Sequence, residues 1–202
     1  MKIFLSLIAS IAIWSASATA ATLVNGQTPP DFTLQSAKGE NVSLDQYQGQ
    51  VIVIEWFNHN CPFVHKFYEP GKMQQWQAEA ISRGAVWLTI DSTNPAHQDH
   101  LTREQAAAVF EERHMVSTQL LLDPEGKVGK AYGAITTPHI FIIGKDGKLL
   151  YQGAVDNIRS SNSDDIALAD NYLLKALDAA LKGTRPEADN TRPYGCSVKY
   201  AQ

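Results

Sequence analysis

Between Val51 and Phe57 the chain runs Val-Ile-Val-Ile-Glu-Trp-Phe, an apolar stretch rich in β-branched residues and broken once, by Glu55. A short continuous run of this kind predicts a strand buried on both faces. An extended entry over 26–31 and the apolar pair Phe32 and Leu34 precede it. Three polar residues then lead to Cys61-Pro62, and proline suits the first position of a helix. That helix is expected to carry Phe63, Phe67, Trp76 and Ala80 inward, kinked or broken at Pro70-Gly71. Residues 85–91 read as a second buried strand. A polar loop containing Pro95 leads to a helix over 102–113, and 119–122 as a third strand closes in the turn Asp123-Pro124-Glu125-Gly126. The apolar segments 139–143 and 148–153 flank Gly144-Lys145-Asp146-Gly147, a hairpin signal. After a polar loop over 154–165, Ile166, Leu173, Leu177 and Leu181 recur at helical spacing and predict a helix over 166–181. The remainder, 183–202, holds two prolines and no periodicity. Alternating strands and helices that end in a hairpin and a helix predict an α/β sandwich around a mixed sheet.

The first twenty residues follow another pattern. Met1-Lys2 is followed by a nearly all-apolar run from Ile3 to Trp14 and then by small residues ending Ala18-Thr19-Ala20. This reads as a secretory signal peptide over 1–20 with the mature chain starting near Ala21; an uncleaved anchor is the alternative. The apolar core is shorter than a comfortable membrane span, and no second apolar stretch approaches spanning length, so no span is expected after cleavage. The division that follows is signal peptide 1–20, one α/β domain 21–182 and a tail 183–202 carrying Cys196. The chain has 202 residues, 44% of them hydrophobic and 19% charged, enough for one packed domain. A formal net charge of -4 offers no basic field, which argues against a nucleic-acid partner. Two cysteines exclude a disulfide-dense scaffold and a four-cysteine zinc site. In a secreted, oxidising setting their redox state becomes the central question. No glycine loop of the Walker or dinucleotide type is present, so no organic cofactor is indicated.

Cys61 at a helix start would face unsatisfied backbone N–H groups and the positive end of the helix dipole, a setting in which a thiol is reactive if exposed; an inert buried cysteine is the structural alternative. Glu55, six residues earlier and inside an apolar strand, is expected to hold its proton against desolvation and is a candidate proton acceptor, unless it reaches solvent at a strand edge. Thr137-Pro138 opens a strand, where proline is compatible with a cis bond that presents backbone groups to a docked chain. His59, Cys61, His65 and His139 together suit copper or zinc, although lone histidines on loops and helices are ordinarily surface residues.

Four segments carry a resemblance. The entry Pro30-Asp31-Phe32-Thr33-Leu34 resembles the start of the redoxin branch of the thioredoxin fold, which includes alkyl hydroperoxide reductase and thiol-specific antioxidant proteins. The loop Asn58-His59-Asn60-Cys61-Pro62-Phe63-Val64, the stretch Asp123–Ala134 and the tail Thr191–Tyr200, which contains Gly195-Cys196-Ser197-Val198-Lys199, resemble a peroxiredoxin-like, thioredoxin-fold family across the mature chain. The resemblance implies a thioredoxin-like three-layer sandwich, a mixed central sheet flanked by helices. It matches Cys61 to the nucleophilic first cysteine of the thioredoxin motif, Glu55 to the buried acid before it, and Pro138 to the cis-proline facing it. Val64 stands where the second cysteine would be. True peroxiredoxins also place proline and threonine seven and three positions before their reactive cysteine; Ile54 and Asn58 stand there.

Cys196 is then the candidate resolving thiol, and the competing roles are a static disulfide that staples the tail or pairing of Cys196 with another chain. The expected activity is thiol–disulfide exchange in a secreted, periplasmic protein, with Cys61, Cys196 and Glu55 catalytic and Thr137 and Pro138 holding the partner's backbone. The partners implied are protein thiols or disulfides, or a small peroxide, together with an unidentified reductant. A thiol peroxidase is one alternative, and a copper-binding or redox-inactive binding module is another.

Overall fold

A computed structural model describes residues 23–201; the signal peptide expected over 1–20 lies outside them. The apolar run around Ile54 forms β3 (Ile52–Trp56), buried at every position. It pairs in parallel with β4 (Val86–Asp91) and antiparallel with β7 (His139–Ile143), both also buried throughout. β5 (Gln119–Leu122) extends the sheet beyond β4, and β8 (Leu149–Gly153) beyond β7 through the expected hairpin. β1 (Thr33–Ser36) and β2 (Asn41–Ser43) complete seven strands in the order β2-β1-β5-β4-β3-β7-β8.

Alternation along β3 divides the core. Val53 and Phe57 face α1 (Pro62–Tyr68), α2 (Lys72–Ser82), α3 (Arg103–Glu112) and α5 (Tyr172–Leu181), which contribute Phe67, Met73, Trp76, Ala106, Leu173 and Leu177 to one cluster. Ile52, Ile54 and Trp56 face the other way, against Tyr132 of α4 (Lys127–Tyr132), Phe141 and Leu149. Helices on both faces of a mixed sheet make the expected thioredoxin-like three-layer sandwich. Among the described residues no helix is long and apolar enough to cross a membrane.

Local chemistry explains where the elements stop. The chain breaks at Pro70-Gly71 between α1 and α2. Thr102 and Gln105 form a reciprocal capping box at the start of α3, each accepting from the other's backbone N–H at 3.3 and 2.8 Å. The helix expected over 166–181 starts six residues late. Asn171 caps it by accepting from Leu174 N at 2.8 Å, while 163–167 forms a separate 3-10 turn and Leu168 is left 79% exposed. The short α4 and β2 carried no periodic signal of their own. The tail is extended, and its β9 (Cys196–Ser197) pairs antiparallel with β6 (Thr136–Thr137) in a separate two-stranded sheet.

Candidate active site around Cys61 and Cys196

The loop after β3 is closed by Asn58, whose side chain accepts from Asn60 N at 2.9 Å and donates to Thr93 Oγ1 at 3.2 Å. This delivers Cys61 to the N-cap of α1, with Pro62 as the first helical residue. The Cys61 carbonyl accepts from Val64 N and His65 N at 2.9 and 3.0 Å. Its side chain does not cap the helix; Sγ donates to the Thr137 carbonyl at 3.0 Å. Cys61 is 1% exposed.

Thr137–Pro138 is cis. In the β6–β9 register Thr137 stands directly opposite Cys196. The backbone unit that accepts the Cys61 thiol is therefore the unit that seats Cys196, and both cysteines are free thiols packed into the same cluster. Burial, then the hydrogen bond and charge of the neighbouring Cys61, push the Cys196 thiol up to about 12.

Two clamps hold the tail on either side of Cys196. Upstream, Tyr194 packs edge-on against Phe63 of α1 and joins a buried network with Lys66 and Asp156. Downstream, Val198 N donates to Ile135 O at 3.2 Å, and Asn94 donates to Lys199 O from backbone and side chain at 2.9 and 2.7 Å. The Tyr200 hydroxyl donates to Ala134 O at 2.8 Å. Its ring lies over Gly126 and Gly129, where a Cβ would fall 2.5 and 2.8 Å from ring carbons. The segment Asp123–Ala134 is thus the seat of Tyr200, and Asp123 itself stiffens the seat by accepting from Ser92 Oγ at 2.7 Å and Gly129 N at 2.9 Å.

Glu55 lies on the same face of the sheet as Cys61, fully buried, and no hydrogen bond joins the two. Its Oε2 accepts from Tyr68 OH at 3.0 Å and Trp87 Nε1 at 3.1 Å, whereas Oε1 has no partner. Burial raises its pKa to about 7 against the lowering effect of those donors. A carboxyl raised in this way lends stability in full below its unfolded value of 4.5, and that contribution is lost as pH rises through about 7. Unfolding stability is expected to fall by ~3 kcal/mol over this window from Glu55 alone. Asp91, raised by burial to about 6, adds to the decline. Urea titrations at pH 5 and pH 8 check this: Glu55→Gln should flatten much of the fall, and an unchanged slope would mean that Glu55 stays ionised.

The histidines separate. His139 stacks on Phe141 at 4.4 Å, on the face of the sheet opposite the Cys61 cluster, and burial lowers its pKa to about 3. His139 therefore stands apart from Cys61, and the grouping of His59, Cys61, His65 and His139 as one copper or zinc set is corrected: alternation along β7 puts His139 on the side of Phe141. His65 Nε2 contacts His59 O at 2.7 Å and Arg113 at 3.0 Å, and its Nδ1 faces Glu69. No group of three or more His, Cys, Asp or Glu side chains converges for a metal ion among the described residues. Lys66, Tyr194, Asp156 and Tyr200 were not singled out from the sequence; a lysine on a helix and tyrosines on an aperiodic tail carry no signal of burial.

Comparison with known proteins finds the same fold among thiol-redox proteins. The thiol–disulfide oxidoreductase ResA of Geobacillus thermodenitrificans is 25% identical over 131 residues, covering 61% of this chain and 66% of that protein, just under two thirds of its length. The crystal structure of an uncharacterized conserved protein from Geobacillus kaustophilus superposes with a TM-score of 0.74 at 27% identity, over 90% of this chain and 94% of that one. The peroxidoxin BcpB of Mycobacterium tuberculosis shares the fold, with a TM-score of 0.55 at 21% identity over 81% of this chain and 99% of its own. The model of the AhpC/TSA family matches residues 25–152, a stretch that holds β1 to β7, all but the last residue of β8, Cys61 and the Thr137–Pro138 bond, and the chain belongs to that family.

Proposed function

We propose that this protein is a secreted thiol–disulfide oxidoreductase in which Cys61 is the nucleophile and Cys196, carried on the tail 183–202, is the resolving thiol. The observation that carries this reading is the register of Cys196 opposite Thr137, whose carbonyl accepts the Cys61 thiol. Val64 deprives Cys61 of a neighbouring thiol in its own helix, and the tail supplies one from 135 residues further along the chain.

In the exchange, the Cys61 thiolate attacks one sulfur of a partner disulfide and forms a mixed disulfide as a partner thiolate leaves. The Cys196 thiolate then attacks Cys61 Sγ, closes the Cys61–Cys196 bond and releases the second partner thiolate. The partner gains two electrons and two protons, and the cysteine pair gives them up. The backbone around Thr137 and Pro138 is where an extended partner would lie once the tail has moved. Glu55 is a buried carboxyl behind the pair, and a proton would pass between it and the sulfurs only through an intervening water. Mature protein beginning near Ala21 in the periplasm would supply the oxidising setting.

A second reading, reduction of a small peroxide, is favoured by the burial of Cys61, which admits a small molecule more readily than a protein disulfide. Peroxide would oxidise Cys61 to a sulfenic acid with release of an alcohol or water, and Cys196 would condense with it, releasing water.

Intact mass after thiol alkylation, taken across glutathione redox buffers and a peroxide titration, tests both. The expected result is a reversible Cys61–Cys196 disulfide, activity abolished by Cys61→Ser, and a trapped mixed disulfide on Cys61 in Cys196→Ser. A bond that resists reduction throughout would make Cys196 a staple, and two permanently free, peroxide-inert thiols would end both readings.

A further inference from the structure

Resting on the Cys61–Cys196 pair just proposed, we propose that the oxidised protein is reduced through Cys196, the sulfur on the tail, and not through Cys61. In most two-thiol exchange sites the nucleophilic sulfur is also the exposed one. Here the arrangement is the reverse. Cys61 is 1% exposed, enclosed by Thr137 and the apolar cluster, while Cys196 on β9 is partly exposed.

A disulfide between the two would sharpen this asymmetry. In the reduced protein the tail is held by the Tyr194 network and the Tyr200 seat, both non-covalent, and it can lift to uncover Cys61. Once the bond closes, the tail is tied to Cys61 by the sulfur atoms themselves and remains above it. An incoming thiolate must approach in line with the S–S bond, and of the two residues only Cys196 is partly exposed. The leaving group points the same way. Burial pushes the Cys196 thiol up, so its thiolate leaves poorly when attack falls on Cys61.

With a dithiol as reductant the step balances. One reductant thiolate bonds to Cys196 Sγ, the Cys61–Cys196 bond breaks, and Cys61 takes the electron pair. The reductant's second thiolate attacks its own sulfur in the mixed disulfide and releases Cys196, which takes up a proton. The reductant leaves as a disulfide, having lost two electrons.

The test uses the oxidised full-length mature chain and a monothiol, glutathione, which forms the mixed disulfide but has no second thiol of its own to clear it. Samples are acid-quenched at early times, alkylated and mapped by peptide mass spectrometry. Glutathione is expected on Cys196 in at least tenfold excess over Cys61, with Cys61 alkylated in the same molecules. In Tyr200→Ala, whose tail is loosened, the Cys61 share should rise several-fold. Equal adducts, or more on Cys61, would overturn the proposal while leaving the exchange reading intact. If the wild-type protein forms no Cys61–Cys196 disulfide in any redox buffer, the pair itself fails, and the entry route with it.

Discussion

Replacing Lys66 by methionine is expected to lower the unfolding free energy by ~3–5 kcal/mol, since breaking a buried ion pair leaves one charge uncompensated. Lys66 sits on α1 with its side chain wholly buried, and Asp156 opposite is 2% exposed. The three ammonium protons have three acceptors: Asp156 Oδ2 at 2.8 Å, Ile158 O at 2.9 Å and Tyr194 OH at 2.9 Å. The Tyr194 hydroxyl in turn donates to Asp156, whose Oδ1 also accepts from Ile158 N at 3.0 Å. Methionine conserves volume but withdraws the charge, so the loss measures the network and not a cavity. Urea midpoints for Lys66→Met, Asp156→Asn and the double variant should show strong coupling, with the double variant losing less than the sum of the singles. Additive losses would mean that the pair is already screened by water. The network also reaches the site, because Tyr194 lies two residues before Cys196 and anchors the tail there.

That network marks where sequence reasoning stops. β3, β4 and β7 were legible because buried central strands show as unbroken apolar runs, and the start of α1 was legible because Pro62 can occupy only a few helical positions. Periodicity overextends the last helix to 166 because Ile166 falls on the apolar stripe, while the Asn171 cap depends on backbone geometry that periodicity does not report. Cys61, Glu55, Thr137 and Pro138 stood out by residue type and position. Lys66 did not, since a lysine is assigned to solvent unless its partner is known, and Asp156 lies 90 residues away. The stretch Asp123–Ala134 and the tail were both recognisable as motifs. That one is the seat of the other follows only from the path of the chain, which brings Tyr200 onto Gly126 and Gly129. Long-range polar pairing and the docking of an aperiodic segment are set by tertiary packing, and neither leaves a local signature.

Gly195 is where that docking is most exposed to a single methyl group. Its φ of +142 lies in the region that side chains avoid, and a Cβ there would overlap the Thr137 carbonyl, with Thr137 C 2.8 Å away. Thr137 is held in place by the β6–β9 pairing and by its carbonyl, which accepts the Cys61 thiol. Backbone strain of ~1–2 kcal/mol and overpacking of a similar size together reach ~3 kcal/mol. If that strain is relieved by undocking the tail, the equilibrium constant for closing the Cys61–Cys196 disulfide against glutathione should fall about 100-fold in Gly195→Ala, at 1.4 kcal/mol per tenfold. Gly183→Ala provides the control. Its φ of +71 brings backbone strain, but nothing lies within 4 Å of the added methyl group, so the disulfide equilibrium should stay near the wild-type value. Equal shifts in the two variants would trace the effect to general destabilisation. A shift confined to Gly195→Ala would show that the close approach of the tail to Thr137 sets how readily the two sulfurs join.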